Sequence, residues 1–152
     1  MKKNLLLLIA TVLMLFPLSL SVADTQEQVQ LDQLMQKWIS ALTTENIEAM
    51  ASCYWPEATK IIYNPNRTSS MLEGIEEIRE NQQRLFDKFD YPSMHLQYPN
   101  PKRFLPGSVS EEERRPVYIY DNKKRGFIDI FFFEKRSGEY RIIQHLLLIN
   151  PK

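Results

Sequence analysis

Apolar residues recur every three or four positions in the first part of the chain, the spacing that lines one face of an amphipathic helix. The stretch from about residue 26 to 43 carries Leu31, Leu34, Met35, Trp38, Ala41 and Leu42. Another stretch follows Gly74 and carries Ile75, Ile78, Gln82, Leu85, Phe86 and Phe89. Between them Asn46 is a typical N-cap, and Pro56 is expected to close a shorter helix that carries Ile47, Met50, Ala51 and Tyr54. The pattern predicts three helices.

Strand patterns surround and follow the third helix. The segment "ATKIIYNP" is β-branched and aromatic, which predicts a short strand and then a loop through Ser70. From Pro92 onward the pattern favours strands at about residues 93–98, 116–121, 125–135 and 139–149. The long segment "PNPKRFLPGSVSEEERRP" separates the first two of these. Three helices followed by a meander of strands predict an α+β fold, in which a curved antiparallel sheet wraps the helices and leaves a cavity.

The N-terminus has the layout of a secretory signal. Lys2 and Lys3 precede the apolar block "LLLLIATVLMLFPLSLSVA", which ends in small residues before Asp24. This layout predicts a cleaved signal over residues 1–23, a single mature domain over residues 24–152, and a periplasmic or secreted protein without membrane contact after cleavage. A retained anchor is the alternative, because the block approaches the roughly 18 apolar residues that a spanning helix needs.

Charge and cysteine content exclude several classes of partner. The full chain has 19 basic and 19 acidic residues, so loss of Lys2 and Lys3 with the signal leaves a net charge of −2. That balance argues against binding nucleic acid or an anionic membrane through charge. Cys53 is the only cysteine, which excludes an internal disulfide framework. His95 and His145 lack the spacing of metal ligands, and no cofactor motif is present, so we expect neither a metal nor a cofactor.

One acid, Asp129, interrupts the apolar run "GFIDIFFFE". The following "KRSGE" fits a three-residue hairpin loop over residues 136–138, which pairs Lys135 with Glu139. This register places Asp129 directly opposite His145, on the same face as Phe131 and Phe127. A register shifted by one residue would oppose Asp129 to Gln144 and turn His145 to the other face.

Several segments resemble the nuclear transport factor 2-like superfamily, which includes SnoaL-like cyclases and ketosteroid isomerases. The segment "LMQKWISALTTENIEAMASCYWPEAT" resembles its opening helices, and "GIEEIRENQQRLF" resembles its third helix. The segments "GFIDIFFFE" and "GEYRIIQHLLL" are similar to its last two strands, so the resemblance covers residues 26–149. It implies a cone of strongly curved antiparallel sheet packed on three helices, with a pocket at the open end. Many members are homodimers through the sheet.

The resemblance also implies one site residue, whereas two other site residues of ketosteroid isomerases have no match in this sequence. In ketosteroid isomerases the acid at the position of Asp129 faces the pocket and stays protonated, so that it donates a hydrogen bond to an oxyanion. The pocket tyrosine of the first helix is replaced by Trp38, and the general base falls at about Tyr63 or Asn64, neither of which is a carboxylate. A steroid-type proton shuttle is therefore not supported.

The remaining candidate site is a dyad of Asp129 and His145 among four aromatic residues, Trp38, Tyr54, Tyr63 and Phe131. An ionised Asp129 is expected to raise the pKa of His145 and fix its tautomer, which suits a general acid or base. The alternative is a buried polar pair that satisfies its own hydrogen bonds and fixes the strand register.

Three functions are compatible with these features. The first is an exported domain whose aromatic pocket binds a small, largely apolar molecule, oriented by Asp129 and His145. The second is an enzyme of the cyclase, isomerase, dehydratase or hydrolase kind that uses this dyad for proton transfer. The third is a noncatalytic subunit that forms a homodimer through the sheet, because the other sheet face is too apolar to meet water, with Ile128, Ile130, Phe132, Ile142, Leu146 and Leu148. A closed site favours binding, and a water-accessible dyad favours catalysis.

Overall fold

The computed structural model describes residues 26–64, 69–94, 98–104, 115–122 and 126–149. The chain divides into two units, residues 1–33 and residues 34–152, and of the first unit residues 26–33 are described. The expected signal over residues 1–23 lies outside the described residues, as does His95. Within the described residues no helix is long and apolar enough to cross a membrane.

Within the described residues, helices begin close to the positions that the periodicity predicts. Helix α1 spans residues 26–43, α2 spans Ile47–Ala51, and α3 spans Gly74–Lys88. A short 3-10 helix, Pro92–Met94, follows α3. The predicted N-cap is confirmed, because the Asn46 side chain accepts a hydrogen bond of 2.9 Å from the backbone N–H of Ala49.

The second helix ends earlier than predicted, and Tyr54 belongs to a strand. Strand β1 spans Tyr54–Tyr63 and therefore includes Pro56, which was expected to close α2. The backbone N–H of Ile142 donates to the carbonyl of Cys53 at 2.9 Å, so pairing with the last strand draws the chain out of the helix. Pro56 lies between Tyr54 and Thr59, where this pairing is irregular and a missing N–H is tolerated.

In the parts of the chain that the structure describes, six strands form one open, curved sheet in the order β2-β1-β6-β5-β4-β3. Strand β2 spans Ser70–Glu73, β3 spans Lys102–Phe104, β4 spans Val117–Asn122, β5 spans Phe127–Arg136 and β6 spans Glu139–Ile149. All neighbours are antiparallel except β1 and β6, which are parallel. The α+β prediction is confirmed, whereas the expectation of a purely antiparallel sheet is wrong, because α3 and the strands beyond it separate β1 from β6 in the chain.

Two of the short strands were not predicted. Strand β2 lies just beyond the expected loop, and β3 lies in the segment taken as a long connection. The strand expected at residues 93–98 is not present in its described part, where residues 92–94 form the 3-10 helix. Strands of three or four residues carry too few side chains for alternation to show.

The β5–β6 hairpin differs from the predicted register by two residues at the site. Its loop has two residues, Ser137 and Gly138, with φ of 49° and 86°, so Arg136 pairs with Glu139. A β-bulge then adds one residue to β6, because Phe133 pairs with Ile142 while Phe132 pairs with Gln144. The shorter loop and the bulge each shift the register by one, and together they restore the alternation of faces.

The sheet has an inner face, defined by Asp129, Phe131 and His145, and an outer face, defined by Ile130, Phe132 and Leu146. Burial alternates along β5 accordingly: Asp129, Phe131 and Phe133 are buried, and Ile128, Ile130 and Phe132 are partly exposed. The bulge places Ile142 opposite Phe133 in the buried core, so its assignment to the outer face was wrong. Buried residues of the second unit's helices include Met35, Trp38, Met50 and Ile78.

Candidate functional site

Asp129 and His145 are joined by a hydrogen bond, although they are not directly opposite. In the observed register Leu147 lies opposite Asp129, and Phe131 lies opposite His145. Asp129 and His145 are therefore diagonal neighbours on one face, which long side chains can bridge. His145 Nε2 lies 2.8 Å from Asp129 Oδ1, and both side chains are at least 96% buried. The contact of the dyad is confirmed, and the direct cross-strand pairing is wrong.

The dyad continues into a chain of four side chains. Tyr54 Oη lies 3.1 Å from His145 Nδ1, and Trp38 Nε1 donates to Tyr54 Oη at 3.0 Å. An indole N–H can only donate, so the tyrosine hydroxyl accepts from Trp38 and is free to donate its own proton to His145. His145 Nδ1 then accepts, and Nε2–H donates to the Asp129 carboxylate. The chain thus fits a neutral His145 with its proton on Nε2.

Burial shifts the pKa values of the histidine and the tyrosines of the site toward their neutral forms. It lowers the pKa of His145 below its usual value, and the nearby Lys60 lowers it further, while the hydrogen bond to Asp129 acts in the opposite direction. Asp129 thus acts on the pKa of His145 in the expected direction, but burial outweighs it and the net shift is downward. Burial also raises the pKa of Tyr54 and Tyr98, and the Asp129 carboxylate raises both further. Both phenols remain protonated at neutral pH.

Aromatic rings surround the histidine. The Phe131 ring stacks on the His145 ring with centroids 4.2 Å apart and an interplanar angle of 21°. Trp38 meets Phe131 edge-on at 4.9 Å and His145 at 5.7 Å. Further edge contacts join Tyr98 to Trp38 and Tyr120 to Phe131 at 5.8 Å and 5.9 Å. Trp38, Tyr54 and Phe131, three of the four aromatic residues predicted for the site, are thus brought together with the dyad.

The fourth predicted aromatic residue, Tyr63, is not part of this cluster. It is 48% exposed and pairs with Leu148, which places it on the outer face. Strand β1 runs through Tyr63, and its side chains alternate between the two faces of the sheet. Ala58 and Lys60 take inner positions, so Tyr63 points to the outer face.

Lys60 and Gln82 belong to the site, although sequence reasoning did not assign them a role there. Lys60 lies beside His145 in the parallel β1–β6 pairing and is 3% exposed. Its Nζ donates to Oε1 of Gln82, on α3, at 3.3 Å. Burial lowers the pKa of Lys60 to about 8, with the Asp129 carboxylate opposing the shift.

A signal for both residues is present in the sequence. Gln82 is the one polar residue among the helical positions that place α3 against the core, and it is 2% exposed. Lys60 interrupts a β-branched strand as Asp129 interrupts an apolar one. A polar side chain at a core position is worth examining, because a buried polar group needs a partner.

The arrangement limits the chemistry available to the dyad. Both ring nitrogens of His145 are engaged by side chains of the protein, one by Asp129 and one by Tyr54. The side chains of the dyad orient one another and satisfy one another's hydrogen bonds, as in a network that positions groups. Among the described residues no group of three or more His, Cys, Asp or Glu side chains is placed to hold a metal.

Solved structures resemble the fold, whereas no family model and no curated protein matches the chain. An NTF2-like protein of unknown function from Methylobacillus flagellatus KT is similar with a TM-score of 0.63, at 13% identity over 83% of this chain and 94% of its own. The chain has the NTF2-like fold. Another NTF2-like protein, from Pseudomonas putida KT2440, gives a TM-score of 0.54 at 9% identity, over 82% of this chain and 87% of its own.

The NTF2-like fold is shared with proteins described by other names. An uncharacterized protein with a cystatin-like fold from Caulobacter vibrioides gives a TM-score of 0.62 at 12% identity, over 80% of this chain and 88% of its own. Identities this low establish the architecture and not an activity, because one fold carries many functions. The function of this NTF2-like chain must be argued from its own side chains.

Proposed function

We propose that the chain is an exported domain that binds a small, largely apolar molecule. The ligand lies against the inner face of the sheet, in contact with the rings of Trp38 and Phe131. The observation that carries the proposal is the engagement of both ring nitrogens of His145. A general base for a substrate needs its accepting nitrogen directed at that substrate, whereas the accepting nitrogen of His145 is directed at the Tyr54 hydroxyl. A network whose bonds are already made suits a site that positions a ligand.

The aromatic cluster supports a ligand with apolar surface. The rings of Trp38, Tyr98, Tyr120 and Phe131 form a closed series of edge contacts, in which successive centroids are 4.9–5.9 Å apart. Aromatic side chains supply large rigid contact areas, and a few convergent polar groups orient what they hold.

Tryptophan fluorescence tests this binding function. The chain has two tryptophans, and Trp55 lies apart from the dyad, stacked against the guanidinium groups of Arg136 and Arg141. In Trp55→Phe the remaining emission comes from Trp38, and we expect small apolar molecules to shift it. The matched variant Trp38→Phe, which keeps Trp55 as reporter, should show no such shift. If neither a retained molecule in native mass spectrometry nor any probe response is found, the binding function is wrong.

Export is part of the proposal and has its own test. The basic residues, apolar block and small residues before Asp24 are the features of a cleaved signal. Expression of the full chain in a bacterium, followed by periplasmic extraction, should give an intact mass that begins at Asp24. Recovery only of the full-length chain in the membrane fraction would instead support a retained anchor.

We also propose that two copies pair through the outer face of the sheet. That face is apolar and partly exposed over four strands, with Val117, Ile119, Ile128, Ile130, Phe132, Leu146, Leu148 and Ile61. Contiguous apolar surface of this kind is typical of a protein interface. Sedimentation should show a dimer, and a monomer at all accessible concentrations would contradict the pairing.

A further inference from the structure

Two buried side chains on the inner side of the sheet hold hydrogen-bond donors that lack an acceptor. Within the described parts of the chain, Lys60 Nζ makes one hydrogen bond, at 3.3 Å to Gln82 Oε1. The Nε2 amide of Gln82 makes no hydrogen bond of ordinary geometry among those residues, and the nearby Tyr91 hydroxyl engages at most one of its two N–H groups. Lys60 and Gln82 are 3% and 2% exposed, so bulk water does not reach them freely. Unsatisfied buried donors are rare in folded proteins and indicate a place where an acceptor binds.

The position of Lys60 brings these donors to the edge of the aromatic cluster. Phe131 lies opposite His145 on β5, and Lys60 lies beside His145 on β1, so the three occupy one row across adjacent strands. A ligand that contacts the Phe131 ring therefore lies two strands away from Lys60, whose ammonium is next to the Gln82 amide. The row places an apolar surface at one end and two donors at the other.

The charges of the site favour a neutral acceptor. Lys60 is the buried cation, and the Asp129 carboxylate is near enough to favour its charged form. The Asp129 carboxylate also raises the pKa of Tyr54, Tyr91 and Tyr98, so its negative charge affects several groups of the cluster. A second buried anion would add like-charge repulsion in a medium that screens poorly. An uncharged acceptor leaves the positive charge of Lys60 balanced by the negative charge of Asp129.

We propose that Lys60 and Gln82 together bind the carbonyl oxygen of a neutral, otherwise apolar ligand. A carbonyl oxygen has two lone pairs, so it can accept one hydrogen bond from the ammonium and one from the amide. The inference rests on the proposed binding function, and it specifies the class of ligand as a ketone, an aldehyde or an ester. The dyad of Asp129 and His145 then serves to hold the negative charge that balances Lys60.

Three isosteric probes separate the carbonyl from its alternatives. Cyclohexyl methyl ketone carries the acceptor, isopropenylcyclohexane has the same shape without it, and cyclohexanecarboxylate replaces it with an anion. Binding is measured by Trp38 emission in Trp55→Phe. One hydrogen bond to a charged donor is worth a factor of about ten in affinity, so the ketone should bind about tenfold more tightly than the alkene. The carboxylate should bind less tightly than the ketone.

The variant Lys60→Met assigns the effect to the ammonium. It keeps an unbranched side chain of similar length, and in it the ketone and the alkene should bind equally. A second readout does not depend on this variant: in Trp55→Phe, the ε-carbon resonance of Lys60 should show a higher pKa in the presence of the ketone and an unchanged pKa with the alkene. Both effects follow from an acceptor that stabilises the ammonium.

The outcomes distinguish this inference from the binding function on which it rests. Equal binding of ketone and alkene, unchanged in Lys60→Met, would leave the binding function intact and refute the carbonyl site. Tighter binding of the carboxylate than of the ketone would refute a neutral ligand. If none of the three probes binds, the binding function fails for this class of molecule, and the carbonyl site fails with it.

Discussion

The inner and outer faces of the sheet differ in burial and in where an acid and a histidine lie, which is clearest in β5 and β6. The inner positions of these strands include an acid and a histidine, Asp129 and His145, both buried. The outer positions beside Gln144 are apolar and partly exposed, with Ile128, Ile130, Phe132, Leu146 and Leu148. A sheet with one face in water ordinarily has polar side chains on that face and apolar side chains on the buried one.

Both departures from that ordinary pattern, the buried acid and histidine inside and the apolar surface outside, agree with the two proposed roles of the sheet. Buried polar groups reduce stability unless their bonds are made, so the inner face retains them for a purpose such as holding a ligand. Partly exposed apolar groups lose contact with water when another surface covers them, so the outer face favours a partner. Variants can test whether the buried polar groups of the inner face and the apolar surface of the outer face have these separate roles.

The largest effect is expected on removal of the inner carboxylate. Asp129→Ala leaves His145 Nε2–H without its acceptor and leaves Lys60 without a nearby negative charge, so the free energy of unfolding at pH 7 should fall by about 3 kcal/mol. Asp129→Asn keeps an acceptor for the histidine and should lose less. Chemical denaturation measures both variants. An alanine variant as stable as the wild type would show that the inner polar chain contributes nothing to the fold.

The same variants should change the titration of His145. Burial has already lowered the pKa of His145, so its contribution to stability is complete above the unfolded pKa of about 6.5 and is lost as pH falls through the folded pKa. Loss of the carboxylate removes a group that raises this pKa, so an NMR titration should show a lower midpoint in Asp129→Asn. Identical midpoints would mean that the two side chains do not interact in solution.

The second effect concerns the pH dependence that Lys60 creates. Its folded pKa of about 8 lies below the unfolded value of 10.5, so the unfolded chain binds more protons between these values and stability rises with pH. From pH 7 to 9.5 the contribution of Lys60 to the free energy of unfolding should increase by about 2 kcal/mol. This contribution is complete above the unfolded pKa and is lost as pH falls through 8.

Denaturation at the two pH values checks this prediction against a matched control. Lys60→Met should flatten the rise, whereas Lys88→Met, which removes an exposed lysine at the end of α3, should keep it. The upper limit of pH 9.5 stays below the range in which the buried tyrosines would titrate. The same slope in all three proteins would place Lys60 in contact with water.

The third effect belongs to the outer face. Phe132→Lys places a charge in the centre of the apolar surface and should weaken the proposed dimer at least about tenfold, because burying an unpaired ammonium is unfavourable. Gln83→Lys adds the same charge to an exposed position of α3 and should leave the assembly unchanged. Sedimentation velocity across a concentration series measures both. Equal dimerisation of the two variants would place the interface elsewhere.

Long periodic elements were predictable from the sequence, and short or irregular ones were not. Helices α1 and α3 and strand β6 carry enough turns or alternations for their patterns to be distinct, and their bounds were close to those observed. Strands β2 and β3 are too short for that. The parallel pairing of β1 with β6 depends on contacts between distant parts of the chain, which local periodicity does not encode.

The site was predicted in part for a specific physical reason. The loop and the bulge together decide on which face of the sheet His145 lies. Each shifts the register by one residue, and the two shifts together return His145 to the face that the sequence predicts. The dyad was therefore found through a register that was wrong in detail. Burial of Lys60 depends on the position of α3 over β1, which cannot be deduced from spacing along either element.

The smallest effect is expected at Tyr63, the aromatic residue that the sequence placed in the site and the structure places on the outer face. With 48% of its surface exposed, it has little apolar contact to lose, so Tyr63→Ala should change the free energy of unfolding by no more than about 0.5 kcal/mol. The affinity for cyclohexyl methyl ketone, measured by Trp38 emission in the Trp55→Phe background, should change less than about twofold, because a residue outside the site contributes no contact. Phe131→Ala in the same background is the matched comparison and should reduce the affinity strongly, since the Phe131 ring stacks on His145. A loss of affinity in Tyr63→Ala as large as that in Phe131→Ala would return Tyr63 to the site and show that the division between inner and outer faces does not hold at the end of β1.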